Sequence, residues 1–228
     1  MFTNVNLAAP LGALALVGTG FLCMLLALAF VYTLVKRKFR ANKLVLAAAA
    51  FIAAVYIGVL LMFSFTSNEQ ALARGQEKHF CELDCHLAYS IVAVVDAKTL
   101  GDSAAQATAA GMFRSVTIKT RFDEDTISPR RGNGLLYPNS RVVTLIDDQG
   151  RKYLPSVEAQ RVLESSNAAG TPLNTPLHPG ESYTTTLAFD LPADARNPSL
   201  LITEGEWLTH FVIGHENSPL HKQTKFQL

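Results

Sequence analysis

The residues best able to do chemistry lie in one short stretch, Cys81-Glu82-Leu83-Asp84-Cys85-His86, with His79 two positions before it. Two thiolates with one or two imidazoles make a soft ligand set that suits tetrahedral zinc or copper. A cysteine pair followed directly by histidine also approaches the C-x-x-C-H signature of covalent haem attachment, in which the imidazole becomes an axial iron ligand. Here the spacing is C-x-x-x-C-H, one residue longer. In an oxidising compartment the default for such a pair is a disulfide. An extended strand would hold the two Cα atoms about 13 Å apart, beyond the roughly 7 Å that a bridge spans, so a disulfide requires a turn or a distorted helix at this point. The favoured reading is a Cys81–Cys85 disulfide and no cofactor. A copper, zinc or haem c site on Cys81, Cys85, His86 and His79 is the alternative, with free thiols the remainder.

What must position these residues is visible in the charge distribution. No acidic residue occurs before Glu69, and the only basic ones in that region are Lys36, Arg37, Lys38, Arg40 and Lys43. On either side of them run Leu11 to Val35 and Leu44 to Thr66, 25 and 23 residues without a charge. Each exceeds the roughly 20 residues a helix needs to cross a hydrocarbon core. Residues 1–66 are therefore expected to form a transmembrane hairpin, helices about 11–35 and 44–66, with a connector at 36–43. The start is uncharged and a second span follows, unlike a cleaved signal peptide. With the basic residues concentrated in the connector, the positive-inside rule puts it in the cytoplasm and both termini outside. In a bacterium this is a two-span inner-membrane protein with a periplasmic C-terminal domain. The apolar runs hold no ionisable side chain, which argues against ion conduction. Small residues (Ala13, Ala15, Gly18, Gly20) suit close packing, within the hairpin or against another membrane protein.

Five of the 20 basic residues lie in the connector, so the outer segment carries 15 against 19 acidic ones, a net charge near −4. Nucleic acid is a poor partner for such a surface. The expected partners are the lipid bilayer and other subunits of a membrane complex.

Residues 67–86 are polar up to the cysteine motif and read as a stalk, able to continue the second helix before Gly75 weakens it. Beyond it, runs rich in β-branched and aromatic residues are divided by turn residues: 87–95, 112–122, 140–147, 151–155, 182–191, 199–203 and 206–214. Two segments read as helix, the Ala-rich 102–112 and 156–165. About seven strands over 87–228 predict an all-β, immunoglobulin-like antiparallel sandwich.

The order LIDDQGRKYLP, then PLHPGESYTTTLAFDLP, resembles a group of bacterial immunoglobulin-like domains of unknown function, found on secreted and membrane-tethered proteins. The resemblance covers roughly residues 112–203 and rests on D-x-x-G-x-x-Y, L-x-PGE and an F-D-L-P strand end. It implies a fold and carries no catalytic content. A two-helix hairpin followed by an outer β domain with C-x-x-x-C is also loosely similar to subunit II of haem–copper oxidases. It departs from that family because the motif precedes the sandwich, the glutamate is Glu82, directly after Cys81, and residues 87–90 supply neither of the expected later ligands.

The remaining candidates are weaker. Cys23 sits in an apolar span as a small hydrophobe. His210 is expected on a strand, and His215 and His221 in a solvated tail. Residues 121–131 read as a solvated charged turn. No nucleophile elbow, dinucleotide fingerprint or P-loop occurs. The expectation is a non-enzymatic accessory subunit, with Cys81 and Cys85 stapling the junction between stalk and sandwich; the alternative is an electron-transfer or metal-handling protein.

Overall fold

The structure, a computed structural model, describes residues 8–82, 85–102, 105–128 and 130–228, without the side chains of residues 8, 9, 81, 82, 85, 86 and 126. It divides into two units, and the described chain passes between them at 68/69, 206/207 and 222/223.

One unit contains two antiparallel helices, α1 (Ala8–Val35) and α2 (Phe39–Thr66), together with residues 207–222. Both helices are long and apolar enough to cross a membrane. Large apolar side chains stand exposed along each, among them Leu14, Val17, Phe21, Phe51, Val55 and Phe65. The turn is tighter than the sequence suggests. Arg37 takes a left-handed φ of 54°, and the Lys38 N–H donates to Thr33 O at 2.9 Å. Thr33 Oγ1 bonds Asn42 Oδ1 across the turn. Consequently Arg40 and Lys43 lie in the first turns of α2, and only Lys36, Arg37 and Lys38 form the connector.

The other unit is a β-sandwich. One sheet has the order β1 (Gln70–Leu72), β9 (Thr224–Gln227), β8 (Ser199–Glu204), β5 (Arg141–Ile146), β6 (Lys152–Tyr153). The second has the order β2 (Lys78–Glu82), β3 (Cys85–Gly101), β4 (Gln106–Asp123), β7 (Ser182–Leu191). All pairings among the described strands are antiparallel except β1 with β9. Alternation sends Leu87, Tyr89 and Ile91 of β3 and Val116, Ile118 and Phe122 of β4 into the core, against Leu145, Leu200, Ile202 and Phe226 of the facing sheet.

The segment expected as a stalk is thus part of the sandwich. α2 stops at Thr66, β1 and β2 enter opposite sheets, and Leu72 and Phe80 are buried in the core. Of the Ala-rich segment 102–112 expected as a helix, residues 106–112 are instead the start of β4, and residues 103 and 104 lie outside the described residues. Ala107 and Ala109, with Ala188 of β7, form a flat surface on which α3 (Val157–Ser165) seats Ala159, Val162 and Leu163. Small side chains here serve close helix-on-sheet approach, and tertiary packing overrides helix propensity. The helix expected at 156–165 is α3, capped by Ser156, whose hydroxyl accepts from the Ala159 N–H.

Between Ala97↔Phe113 and Thr99↔Thr108 the β3–β4 register shifts, so residues 109–112 bulge opposite Lys98. Two charges close the bulge. Lys98 Nζ donates to the carbonyls of Ala109, Ala110 and Gly111, and the Asp190 carboxylate accepts from the N–H groups of Ala110 and Gly111.

Candidate functional site

The cysteine motif forms the end of a hairpin. β2 and β3 pair Lys78↔Tyr89, His79↔Ala88, Cys81↔His86 and finally Glu82↔Cys85. On the far side of β3, His86 pairs with Asp123 and Ala88 with Arg121. Cys81, His86 and Asp123 therefore share one rung across three strands, and His79, Ala88 and Arg121 share another. In this register Cys81 pairs with His86 and Cys85 with Glu82, so the two cysteines are not cross-strand partners. The cysteine and His86 side chains, on which the disulfide, metal and haem readings all rest, lie outside the described residues.

Beside this rung the side chains are described. Arg121 grips Glu77 bidentately, Nε to Oε1 at 3.0 Å and a terminal nitrogen to Oε2 at 2.8 Å. Its other terminal nitrogen reaches Asp123 Oδ1 at 3.2 Å. His79 Nε2 lies 3.1 Å from Asp123 Oδ2 and 3.7 Å from Glu77 Oε2. The His79 and Asp123 side chains are each only 6% exposed. The hydrogen bonds and charge of Arg121 hold Glu77 below the usual carboxylate range. For Asp123 burial pushes upward, but the Arg121 charge and the bonds from Arg121 and His79 outweigh it, and the net direction is down. His79 Nδ1 is buried and without a hydrogen-bond partner among the described residues, and in the neutral ring that donates Nε2–H to Asp123 it carries the lone pair. A carboxylate behind one ring nitrogen and a free lone pair on the other is the arrangement of a metal-ligating histidine.

Asp123 is the residue that sequence reasoning misses, because the charge-rich run 121–131 reads as a solvated turn. The signal is the alternation Arg-Phe-Asp: with Phe122 in the core, Arg121 and Asp123 share the opposite face. Among the described residues, no three His, Cys, Asp or Glu side chains form a metal-holding group.

The C-terminal histidines are engaged locally. His210 lies in a 3-10 turn (Trp207–Phe211), where a strand was expected, and its Nδ1 pairs with Asn217 O at 2.7 Å. His215 Nδ1 accepts from the Asn217 N–H, and His221 Nδ1 donates to Lys222 O. All three belong to the helical unit, whereas β2 and β3 belong to the sandwich. Cys23 is a free, half-buried thiol in α1.

At the opposite end of β2, two cations are buried around one ring. Lys78 Nζ lies 4.8 Å and Arg141 Cζ 4.3 Å from the Phe80 centroid. Lys78 Nζ also donates to Ile202 O at 2.7 Å, tying one sheet to the other, and Arg141 pairs with Glu204.

No protein-family model and no curated protein matches the chain. Among solved structures, the secreted protein MPT63 of Mycobacterium tuberculosis is similar at a TM-score of 0.44 and 10% identity, over 72% of this chain and 100% of that one. An uncharacterized β-sandwich protein of Clostridium difficile aligns at a TM-score of 0.41 and 9% identity, over 71% and 95%. A conserved hypothetical protein of Bacillus anthracis aligns at 0.41 and 12%, over 57% and 88%. The sandwich assignment rests on this chain's own sheets.

Proposed function

We propose that the chain is a non-enzymatic accessory subunit of a bacterial inner membrane. The two helices cross the bilayer with Lys36, Arg37, Lys38, Arg40 and Lys43 at the cytoplasmic face. The sandwich stands in the periplasm and docks on or stabilises a larger membrane complex. The observation that carries docking lies in the helices. A Cβ built at Gly18, Gly20 or Gly58 meets nothing within 4 Å, so these small-residue positions are not consumed by packing inside the hairpin. In lipid such positions let a further helix approach closely. The charged groups of the sandwich also suit a scaffold, since Lys98, Asp190 and Arg121 are all spent on holding strands and loops.

Purification from native membranes in mild detergent tests this reading. Stoichiometric partner subunits are expected, and Gly20→Leu should release them while the chain stays in the membrane. A chain that purifies alone under all mild conditions would overturn it.

A second reading has its own observation, the buried free lone pair of His79 backed by Asp123. In it His79, Cys81, Cys85 and His86 hold copper, zinc or haem c, and the protein handles metal or electrons. The intact mass of unreduced protein from native membranes separates the two. A loss of two hydrogens favours the staple, and a retained metal or haem mass favours the second reading.

A further inference from the structure

Residues 207–222 are built the wrong way round for a water-facing loop. Trp207, Leu208, Phe211 and Leu220 are exposed, at 66%, 52%, 49% and 66%. Three polar side chains turn inward: Thr209, Asn217 and Ser218 are buried. They bond one another or the backbone, Asn217 Nδ2 to Thr209 Oγ1 at 2.8 Å and Ser218 Oγ to Val212 O. Backbone N–H groups of residues 212, 215, 218 and 221 find carbonyls three residues earlier.

Three contacts fix this segment on the helices. The Tyr56 hydroxyl donates to Phe211 O at 2.6 Å. A Cβ on Gly12 would fall 2.0 Å from Ile213 O, so only glycine admits that carbonyl against α1. The Lys222 N–H donates to Ser67 Oγ at 2.8 Å, just past the end of α2. Along α2, Tyr56 lies about 15 Å below Thr66 and about 20 Å above Lys43 at 1.5 Å per residue. The segment therefore reaches deep alongside the helices at Phe211 and climbs back to the helix end by Lys222. At the level of Tyr56 its neighbours on α2 are the exposed Val55 and Ile57. Whatever medium covers those side chains covers Phe211 as well.

We propose that residues 207–222 are a re-entrant element whose Trp207, Leu208 and Phe211 lie among the acyl chains of the outer leaflet. This rests on the reading of α1 and α2 as membrane spans. Irregular backbone survives at membrane depth only when its polar groups are satisfied by protein, and the inward-turned Thr209, Asn217 and Ser218, with the Tyr56 hydroxyl, supply that. The Trp207 ring packs edge-on against the Phe211 ring, centroids 5.8 Å apart, so the two aromatic side chains share one level.

Trp207 is the only tryptophan in the chain, so its fluorescence reports this segment alone. The full chain would be reconstituted in phosphatidylcholine nanodiscs made with lipids brominated near the glycerol or near the methyl end. Co-elution of protein with the disc, read separately, tests the spans. The expected result is loss of Trp207 emission to bromolipid, with little loss to aqueous acrylamide. A chain that stays in the disc with Trp207 quenched by acrylamide and not by bromolipid overturns this proposal and leaves the spans standing. Shielding from both quenchers would mean a protein cover, such as a second copy, and overturns it equally. A chain that leaves the disc sinks the membrane reading itself.

Discussion

The Tyr153 hydroxyl donates to Asp147 Oδ2 at 2.9 Å, and with that bond the D-x-x-G-x-x-Y motif closes on itself. The same carboxylate accepts from the N–H groups of Gln149 and Arg151 and from Arg151 Nε, while Gly150, at φ 78°, makes the reversal between β5 and β6. Burial would raise the Asp147 pKa, but the bonds from Arg151, Tyr153 and Gln149 outweigh it and hold the group down at about 2. The motif is a loop lock, and so it can mark a fold without any chemistry.

The lock gives the sandwich an acid limb. An unfolded aspartate titrates near 4, so Asp147 contributes its stability above about pH 4 and loses it as the pH falls through the folded value. Thermal melts between pH 5 and 2 should show Tm falling over this window. Asp147→Asn should lower Tm at neutral pH and flatten the limb. Gly150→Ala forces a side chain into the left-handed region and should cost roughly 1–2 kcal/mol at every pH.

A second acid-sensitive group surrounds Arg121. Glu77 and Asp123 are both depressed when folded, so their contribution is also present above about pH 4 and lost on acidification. Arg121→Met leaves two carboxylates facing each other and should destabilise by roughly 2 kcal/mol, less than a fully buried pair would lose because the guanidinium is partly solvated. Urea melts at pH 7 and pH 4 would check it. The variant should lose more at pH 7, and an equal loss at both would refute the linkage.

Phe226 is fully buried between β1 and β8. Phe226→Ala should cost about 3–5 kcal/mol, measured by denaturant unfolding of the full chain in detergent. A loss below about 1 kcal/mol would mean that β9 contributes little to the core.

At the bulge, a Cβ on Gly111 would sit 1.9 Å from Leu191 O. Gly111→Ala must push β4 and β7 apart and should cost about 1–3 kcal/mol. Hydrogen exchange should then quicken in residues 109–113 and 189–192, with β5 and β8 unaffected.

Cys85→Ser separates the two readings of the motif. As a staple the bridge should be worth about 2–4 kcal/mol, lost in the variant and lost equally when wild type is reduced. As a ligand the variant should lose its bound metal or haem and keep its fold.

The helical hairpin is legible in the sequence because an uncharged run long enough to cross a hydrocarbon core is longer than the core helix of a small domain needs to be. Of the expected strands, 87–95, 112–122, 140–147, 151–155, 182–191 and 199–203 are legible as β-branched runs bounded by turns, and each falls on a strand of the sandwich. β1 and β9 are not legible: each offers one buried apolar residue, Leu72 or Phe226, and no short window contains the strand that pairs with it. The run 206–214 alternates as a strand would, yet its apolar residues divide between exposed Trp207, Leu208 and Phe211 and buried Val212 and Ile213. Of the candidate site, the sequence carries Cys81, Cys85, His86 and His79. Asp123 shows there only through the Arg-Phe-Asp alternation, and Glu77 not at all, because what each meets depends on the β2–β3–β4 register.

The position of β9 between β1 and β8 bears on how the chain is made. β1 emerges from the ribosome early, directly after the second apolar helix, and has no neighbour in its sheet until residues 224–227 have been synthesised. Until then Leu72 and the edge of β8 stay uncovered, an invitation to wrong pairing. Closure of this sheet therefore waits for a segment about 150 residues further along the chain than β1.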